Sequence, residues 1–347
     1  MMININLDFK KNHSTSLGCA VFKSVVEYYR SNGSYVFASF LDLSKAFDSV
    51  NHKLLFEKLT ALELPSNMVK LLIFWYANQQ MDVRWKQVTT SSFSMKNGTR
   101  QGSVLSPYPF SIYMRGITDV IVHSGVGCHI GGMSVCFLLY ADDLVILAPT
   151  WFAQQKLLNL CNDLVVDLDM KFNAAKSVTM IYMPYKVTCR VSYTFPNLML
   201  NGCALKTVDR FKYLGHVISP VFDDNLDIAR QMSLLYSRTN VLIRKFGKCS
   251  RDVKLCLYRA YCMQFYGAGL WKSYNVTVMK RFEAAYVKCV KMFFGFARLD
   301  SVTAMFYELG LPTFKTILHN AKCNFENCIE LHVNALVRQV YDICLTD

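Results

Sequence analysis

The sequence predicts an α+β fold: a split βαβ unit whose antiparallel sheet carries helices on one face, followed by a basic helical region. Three observations lead there. Short β-rich apolar runs are interleaved with amphipathic helical stretches, a hairpin and turn signals in the order such a unit needs. Carboxylates stand at the ends of two of the most apolar runs: Asp42 closes YVFASFL, and Asp142 and Asp143 interrupt VCFLLYADDLVILAP. Beyond residue 223 the pattern turns helical and basic.

The elements follow in order. Residues 21–29 read as a short helix ended by Asn32 and Gly33, and residues 35–43 as a strand carrying Asp42 near its end. Two amphipathic helices come next, about 51–62, stopped by Pro65, and 66–79 with Ser66 as N-cap. Residues 83–95 read as a polar hairpin, and Gly98 and Gly102 as turn or close-approach glycines. An apolar helix spans 107–122. Gly131 and Gly132 lead into two strands, 134–147, folded at Ala141–Asp142–Asp143. A helix over 154–168, a strand over 177–183 and a strand over 211–218 with Gly215 inside it complete the unit.

Bulk properties narrow the function. At 347 residues there is room for two or three lobes, and 52% hydrophobic content with a mean hydropathy of +0.20 excludes a disordered chain. The net charge of +13 is uneven: between Lys206 and Asp300 seventeen Lys and Arg face seven Asp and Glu, an excess of ten. A basic region next to an acidic cluster suggests a polyanionic partner. Thirteen cysteines without CxxC spacing suggest buried thiols in a reducing compartment rather than a disulfide framework. Cys323, Cys328 and His332 are spaced too irregularly for zinc and read as one amphipathic helix. The start lacks an apolar signal core and no apolar run has membrane-spanning length, so the expectation is an intracellular protein without a membrane partner. No phosphate-binding GxxxxGK[ST], HExxH or GxSxG pattern is present, which argues against P-loop, zincin and α/β-hydrolase chemistry.

Aspartates are rarely buried unless paired or metal-bound. If the two strand regions pair, their carboxylates meet at one sheet edge, where divalent cations would relieve the repulsion and serve in-line phosphoryl transfer. Strand alternation favours Asp42 and Asp142 as the pair sharing a face, with Asp143 brought in by the twist of the turn.

Five ordered segments then carry a resemblance: FLDLSKAFDSVNHKLL (40–55), GTRQGSVLSP (98–107), LLYADDLVILAP (138–149), MKFNAAKS (170–177) and FKYLGHVIS (211–219). Together they resemble the motifs of reverse transcriptases, specifically of non-LTR (LINE-type) retrotransposons, and HSTSLG (13–18) resembles the segment before the first catalytic motif. The resemblance implies a right-hand polymerase: a residual fingers segment over 1–34, a palm over 35–220 with a fingers insert at about 51–100, and a helical basic thumb and C-terminal region over 221–347. It implies that Asp42, Asp142, Asp143 and the Leu43 carbonyl hold two Mg²⁺ ions (Mn²⁺ as a substitute), with Lys176 serving the departing phosphate. It further implies that Phe47 excludes ribonucleotides, that Arg100, Gln101 and Gly102 meet the template and nascent pair, and that Tyr213, Leu214 and Gly215 grip the primer. Asp48 also matches, with a hydrogen-bonding role. The implied partners are an RNA template, a DNA primer or target, and deoxynucleoside triphosphates, in a nuclear or cytoplasmic ribonucleoprotein.

The chain departs from the pattern in places. Upstream fingers segments and an endonuclease domain are not found, so N-terminal truncation is the expectation. Pro109 adds a second proline at a helix's first turn, where it is tolerated, and Ala174–Ala175 replace a usual proline and lysine. Two other functions are compatible: a truncated remnant that binds nucleic acid without polymerising, and a group II intron maturase, which the LSKAFD segment disfavours.

Overall fold

A five-stranded sheet organises the first half of the chain. The computed structural model describes residues 14–62, 64–100, 102–103, 105–186, 194–332 and 337–338. These fall into two units, one formed by residues 25–208 and the other by 14–24 together with 209 onward. Helix α1, Thr15–Ser31, is shared between them. It begins six residues before the expected start, because Ser14 accepts from the Leu17 amide and Leu17, Val21 and Phe22 are buried.

In the first unit, β1 (Val36–Asp42) is central. It pairs antiparallel with β3 (Asp143–Ala148) on one side and with β4 (Val178–Tyr182) on the other. Strand β2 (Phe137–Tyr140) flanks β3, and the short β5 (Lys206–Thr207) runs parallel to β4 at the far edge. The order is therefore β5-β4-β1-β3-β2.

Helices α2 (His52–Ala61), α3 (Ser66–Ala77), α4 (Pro107–His123) and α5 (Trp151–Val166) complete the unit. Asn51 caps α2, its side chain accepting from the Lys53 and Leu54 amides. Ser66 is not the cap of α3; Pro65 occupies that position with no side-chain bond, its fixed φ leading into the helix. Between α3 and α4 two nested ladders, Gln80–Met81 with Phe93–Ser94 and Arg84–Trp85 with Val88–Thr89, form the expected hairpin.

The expectation of helices on one face is met only in part. Helices α4 and α5 pack on the face formed by Leu41, Leu139, Leu144 and Ile146. The opposite face, with Ala38, Phe40, Leu138, Val145, Leu147 and Met180, is equally buried. Strands apolar at nearly every position, as these are, belong to a sheet covered on both sides.

The second unit corrects another expectation. Residues 211–218 are not one strand but a hairpin of β6 (Phe211–Tyr213) and β7 (His216–Ile218), turning at Leu214 and Gly215 with φ +44° and +81°. Helices α6 (Asn225–Phe246), α7 (Arg251–Cys262), α8 (Val276–Phe294), α9 (Val302–Leu309) and α10 (Phe314–Glu330) follow. They pack around an aromatic core that includes Tyr258, Phe265, Trp271, Phe282, Tyr286 and Phe314. Cys323 and Cys328 both lie on α10. Among the described residues no helix is long and apolar enough to cross a membrane.

Candidate active site

Paired strands set the acidic residues. In the β1–β3 ladder Asp42 lies directly opposite Asp143, with Phe40 opposite Val145 and Ala38 opposite Leu147 behind them. Opposed residues project to the same face, so Asp42 and Asp143, rather than Asp42 and Asp142, are the in-register pair. They continue the sheet face away from α4 and α5. Asp142 lies in the two-residue connection between β2 and β3, outside the ladder, where strand alternation does not govern its direction. The preceding Ala141 holds φ +56°, a left-handed conformation that costs a non-glycine residue about 1–2 kcal/mol and tends to persist at functional sites.

The electrostatics follow from this crowding. Asp143 is exposed, yet partial loss of solvent and the charges of Asp142 and Asp42 push its carboxyl up to about 6. Its neighbourhood thus carries more negative charge than it can comfortably ionise. Lys176 Nζ stands 3.9 Å from Asp42 Oδ2, with both side chains well exposed. A cleft of about 810 Å³ is lined by Asp42, Leu43, Phe47, Asp48, Asp142 and Lys176, among others. All six were named by sequence reasoning, and the fold brings them to one cleft.

What sequence reasoning did not assign is the scaffold that fixes Asp42. The Asp42 amide donates to Ser177 Oγ at 3.0 Å, and the Asp42 carbonyl accepts from the Asn173 amide at 2.8 Å. Ser177 Oγ in turn donates to the Asn173 carbonyl, and Leu43 bridges to Phe172. The MKFNAAKS segment is thus a brace for the end of β1 as well as the source of Lys176. Asp169 and Lys171 also line the cleft. The available signal was the i, i+4 spacing of Asn173 and Ser177, which suits a turn that closes on itself.

Phe47 packs its ring on Phe110, centroids 4.6 Å apart, and faces the cleft while half-buried. Gly98 is a close-approach glycine: a Cβ would fall 2.9 Å from the Asp48 carbonyl oxygen, and φ is +89°. Its amide donates to the Val50 carbonyl and the Thr99 amide to Phe47, while His52 Nε2 meets the Gly98 carbonyl at 2.8 Å. The start of the 98–103 segment is therefore tied to the turn that carries Phe47. Gly102 has φ +82° with open space around it, so backbone conformation and not packing calls for glycine there. Arg100 is half-buried, and its Nε has no hydrogen-bond partner among the described residues. Gln101 lies outside the described residues, as does His13 of the HSTSLG segment. Tyr213, Leu214 and Gly215 form the hairpin tip of the second unit.

Among the described residues no three His, Cys, Asp or Glu side chains are gathered closely enough to hold a metal ion by themselves. The donor set nonetheless suits Mg²⁺. That ion is usually bound through one or two carboxylates, with water and substrate phosphates completing its shell, rather than by an all-protein cage.

Comparisons with known proteins show which family the chain is similar to. The family described as "Reverse transcriptase (RNA-dependent DNA polymerase)" matches residues 3–218. The Retrovirus-related Pol polyprotein from type-2 retrotransposable element R2DM of Drosophila melanogaster is 29% identical over 205 residues, covering 57% of this chain and 19% of that protein. The RNA-directed DNA polymerase from mobile element jockey of Drosophila funebris is 22% identical over 326 residues, covering 88% of this chain and 33% of that protein. The chain thus spans a third or less of the length of these relatives. Among solved structures, telomerase from Candida tropicalis in complex with a fragment of telomeric RNA superposes with a TM-score of 0.43 at 11% identity, covering 94% of this chain and 51% of that one.

Proposed function

The chain belongs to the reverse transcriptase family, and from that premise we propose that it is the polymerase module of a non-LTR retrotransposon, extending a DNA 3′-hydroxyl along an RNA template. The observation that carries this is the register of Asp42 against Asp143, together with a cleft lined by Asp42, Asp142, Lys176 and Phe47. The charges of Asp142 and Asp42 help push Asp143 up to about 6, a repulsion that a bound cation would relieve.

Asp42, Asp142 and Asp143, with the Leu43 carbonyl, are the residues that would hold two Mg²⁺ ions. Such ions would supply a lowered pKa at the attacking hydroxyl and positive charge opposite the leaving pyrophosphate. The chain's own residues do the remaining work. The brace of Asn173 and Ser177 keeps the Asp42 backbone in place, so its carboxylate need not reorganise during the reaction. Lys176 offers a proton or a positive charge to the departing phosphate. Phe47, backed by Phe110, presents a ring where a ribose 2′-hydroxyl would sit, and so rejects ribonucleotides by clash. Arg100 and Gly102 would approach the template strand and nascent pair, and the hairpin tip 213–215 would hold the primer end. In this reading residues 1–34 belong to the fingers, 35–220 form the palm with its insert, and 221–347 the thumb and C-terminal region. The working form is a ribonucleoprotein.

The test is primer extension on poly(rA)·oligo(dT) with Mg²⁺. We expect dTMP incorporation by the chain, and a loss of at least about a hundredfold in Asp142→Ala, the scale of a removed charge-stabilising group. Incorporation that survives the substitution would rule the proposal out. Salt-sensitive RNA binding with no incorporation by either form would instead identify a nucleic-acid-binding remnant.

A further inference from the structure

The tip of the β6–β7 hairpin is held from beneath in an unusual way. Its three successive carbonyls each accept a hydrogen bond from a side chain of a different element. Cys19 Sγ of α1 donates to Tyr213 O at 3.5 Å, Tyr266 Oη donates to Leu214 O at 2.7 Å, and Arg230 Nη2 of α6 donates to Gly215 O at 2.6 Å. All of these residues belong to the second unit. Leu214 has φ +44°, a conformation disfavoured for a branched apolar residue and kept only where the surroundings over-determine it.

A second layer holds the first. Because the Tyr266 hydroxyl proton is committed to Leu214 O, the hydrogen bond between Thr15 and Tyr266 has Thr15 Oγ1 as its donor. Asp227, fully buried, accepts from the Val217 amide of β7, from Arg230 Nε and Nη2, and from Trp271 Nε1, and it lies 3.1 Å from His216 Nδ1. The Tyr266 ring also fills the space above Gly215, where a Cβ would fall 2.7 Å from its Cε1. The tip therefore has little freedom. Gly215 takes its left-handed φ of +81° freely, so it is the strained Leu214 beside it whose conformation the bonds from Tyr266 and Arg230 hold in place.

We infer that Tyr266, oriented by Thr15, is a positioning residue that presets the 213–215 tip and thereby sets the affinity of the enzyme for the 3′ end of the primer strand. This rests on the polymerase function proposed above, with that tip as the primer-holding turn. A preset tip loses no conformational entropy when the primer docks. A loosened one binds more weakly while leaving nucleotide recognition, which depends on the cleft around Asp42 and Phe47, unaffected.

The experiment is steady-state extension on poly(rA)·oligo(dT), with primer–template and dTTP varied separately, for the intact chain and for Tyr266→Phe, Thr15→Val and Asp142→Ala. Tyr266→Phe is expected to raise the KM for primer about five- to tenfold, the worth of one lost hydrogen bond with its ordering effect, while the KM for dTTP moves by less than about twofold. Thr15→Val, which removes only the outer bond, should raise the primer KM about two- to threefold. Thermal melting checks that each variant is folded; should Tyr266→Phe fail to fold, the Thr15→Val result decides. An unchanged primer KM, or equal rises in both KM values, overturns the inference. If Asp142→Ala extends primer as well as the intact chain does, the polymerase function itself is wrong and the inference falls with it.

Discussion

Asp143 carries an unresolved conflict in its own surroundings. Its carboxyl is pushed up from 3.8 to about 6 by partial burial and by Asp142 and Asp42. Between those values the folded chain binds more protons than the unfolded one, so this group makes stability fall as pH rises through about 4 to 6. Because the side chain is exposed, solvent screening limits the effect to about 1 kcal/mol or less. Thermal melting in chelator should therefore show Asp143→Asn more stable than the intact chain at pH 7, with the difference vanishing near pH 4. Mg²⁺ should stabilise the intact chain and not the variant. A variant less stable at neutral pH would mean that the carboxylates are not in conflict. At Phe47 the prediction concerns selectivity. Phe47→Val removes the ring that would meet a 2′-hydroxyl, so discrimination between dTTP and UTP should fall by about ten- to a hundredfold, read from the ratio of their kcat/KM values. Unchanged discrimination would leave Phe47 as a core residue packed on Phe110.

The elements show where pattern reading succeeds and where it stops. Strands β1 and β3 were legible because their apolar runs are long and end in charge. The β6–β7 hairpin was not: FKYLGHVI contains no Asn-Gly or Asp-Gly, and Leu214 takes the left-handed position ahead of Gly215, where bonds from Tyr266, Arg230 and Cys19 hold the carbonyls around it. The ladder partner of Asp42 was missed for a related reason, since a period of two holds within a strand and not in the connection between strands, although Asp142 does line the cleft with Asp42. Gln154 shows how α5 is fixed to the sheet. Fully buried, it donates to Ser39 Oγ at 2.8 Å and to the Ile146 carbonyl at 3.1 Å, and Ser39 in turn meets Thr179 across β1 and β4. Gln154→Ala should cost about 1–3 kcal/mol in urea unfolding, because it strands buried polar groups. Gln154→Ala combined with Ser39→Ala should cost less than the sum of the two single changes, through their direct coupling. Full additivity would show that the bond contributes nothing.

Over the whole molecule, charge is the dominant property. The excess of ten positive charges between Lys206 and Asp300 understates the surface of the second unit, since two of the seven acidic residues, Asp224 and Asp227, are buried and paired with Lys23, His216 and Arg230. Lys245, Lys248, Lys280, Arg281 and Lys288 are exposed and form no ion pair among the described residues. Binding to single-stranded RNA should weaken linearly on a log–log plot against salt, and each phosphate contact removed should flatten the slope by about 0.7. Lys280→Glu with Arg281→Glu tests this by filter binding or anisotropy at several ionic strengths. A slope identical to that of the intact chain would remove these two residues from the nucleic-acid footprint.

The sequence by itself determined the family and the α+β class, because these depend on local signals: charge at the end of apolar runs, glycines at turns, helical periodicity and five ordered motifs. Which carboxylate faces which, what holds the backbone of Asp42, and how the 213–215 tip is bent were decided only in the tertiary structure. Each of these depends on hydrogen bonds between residues far apart in the chain: Asp42 with Ser177, 135 positions on, and Leu214 with Tyr266, 52 positions on. A pairing between distant segments leaves no periodicity in either one, so it becomes visible only when the chain has folded and the partners meet.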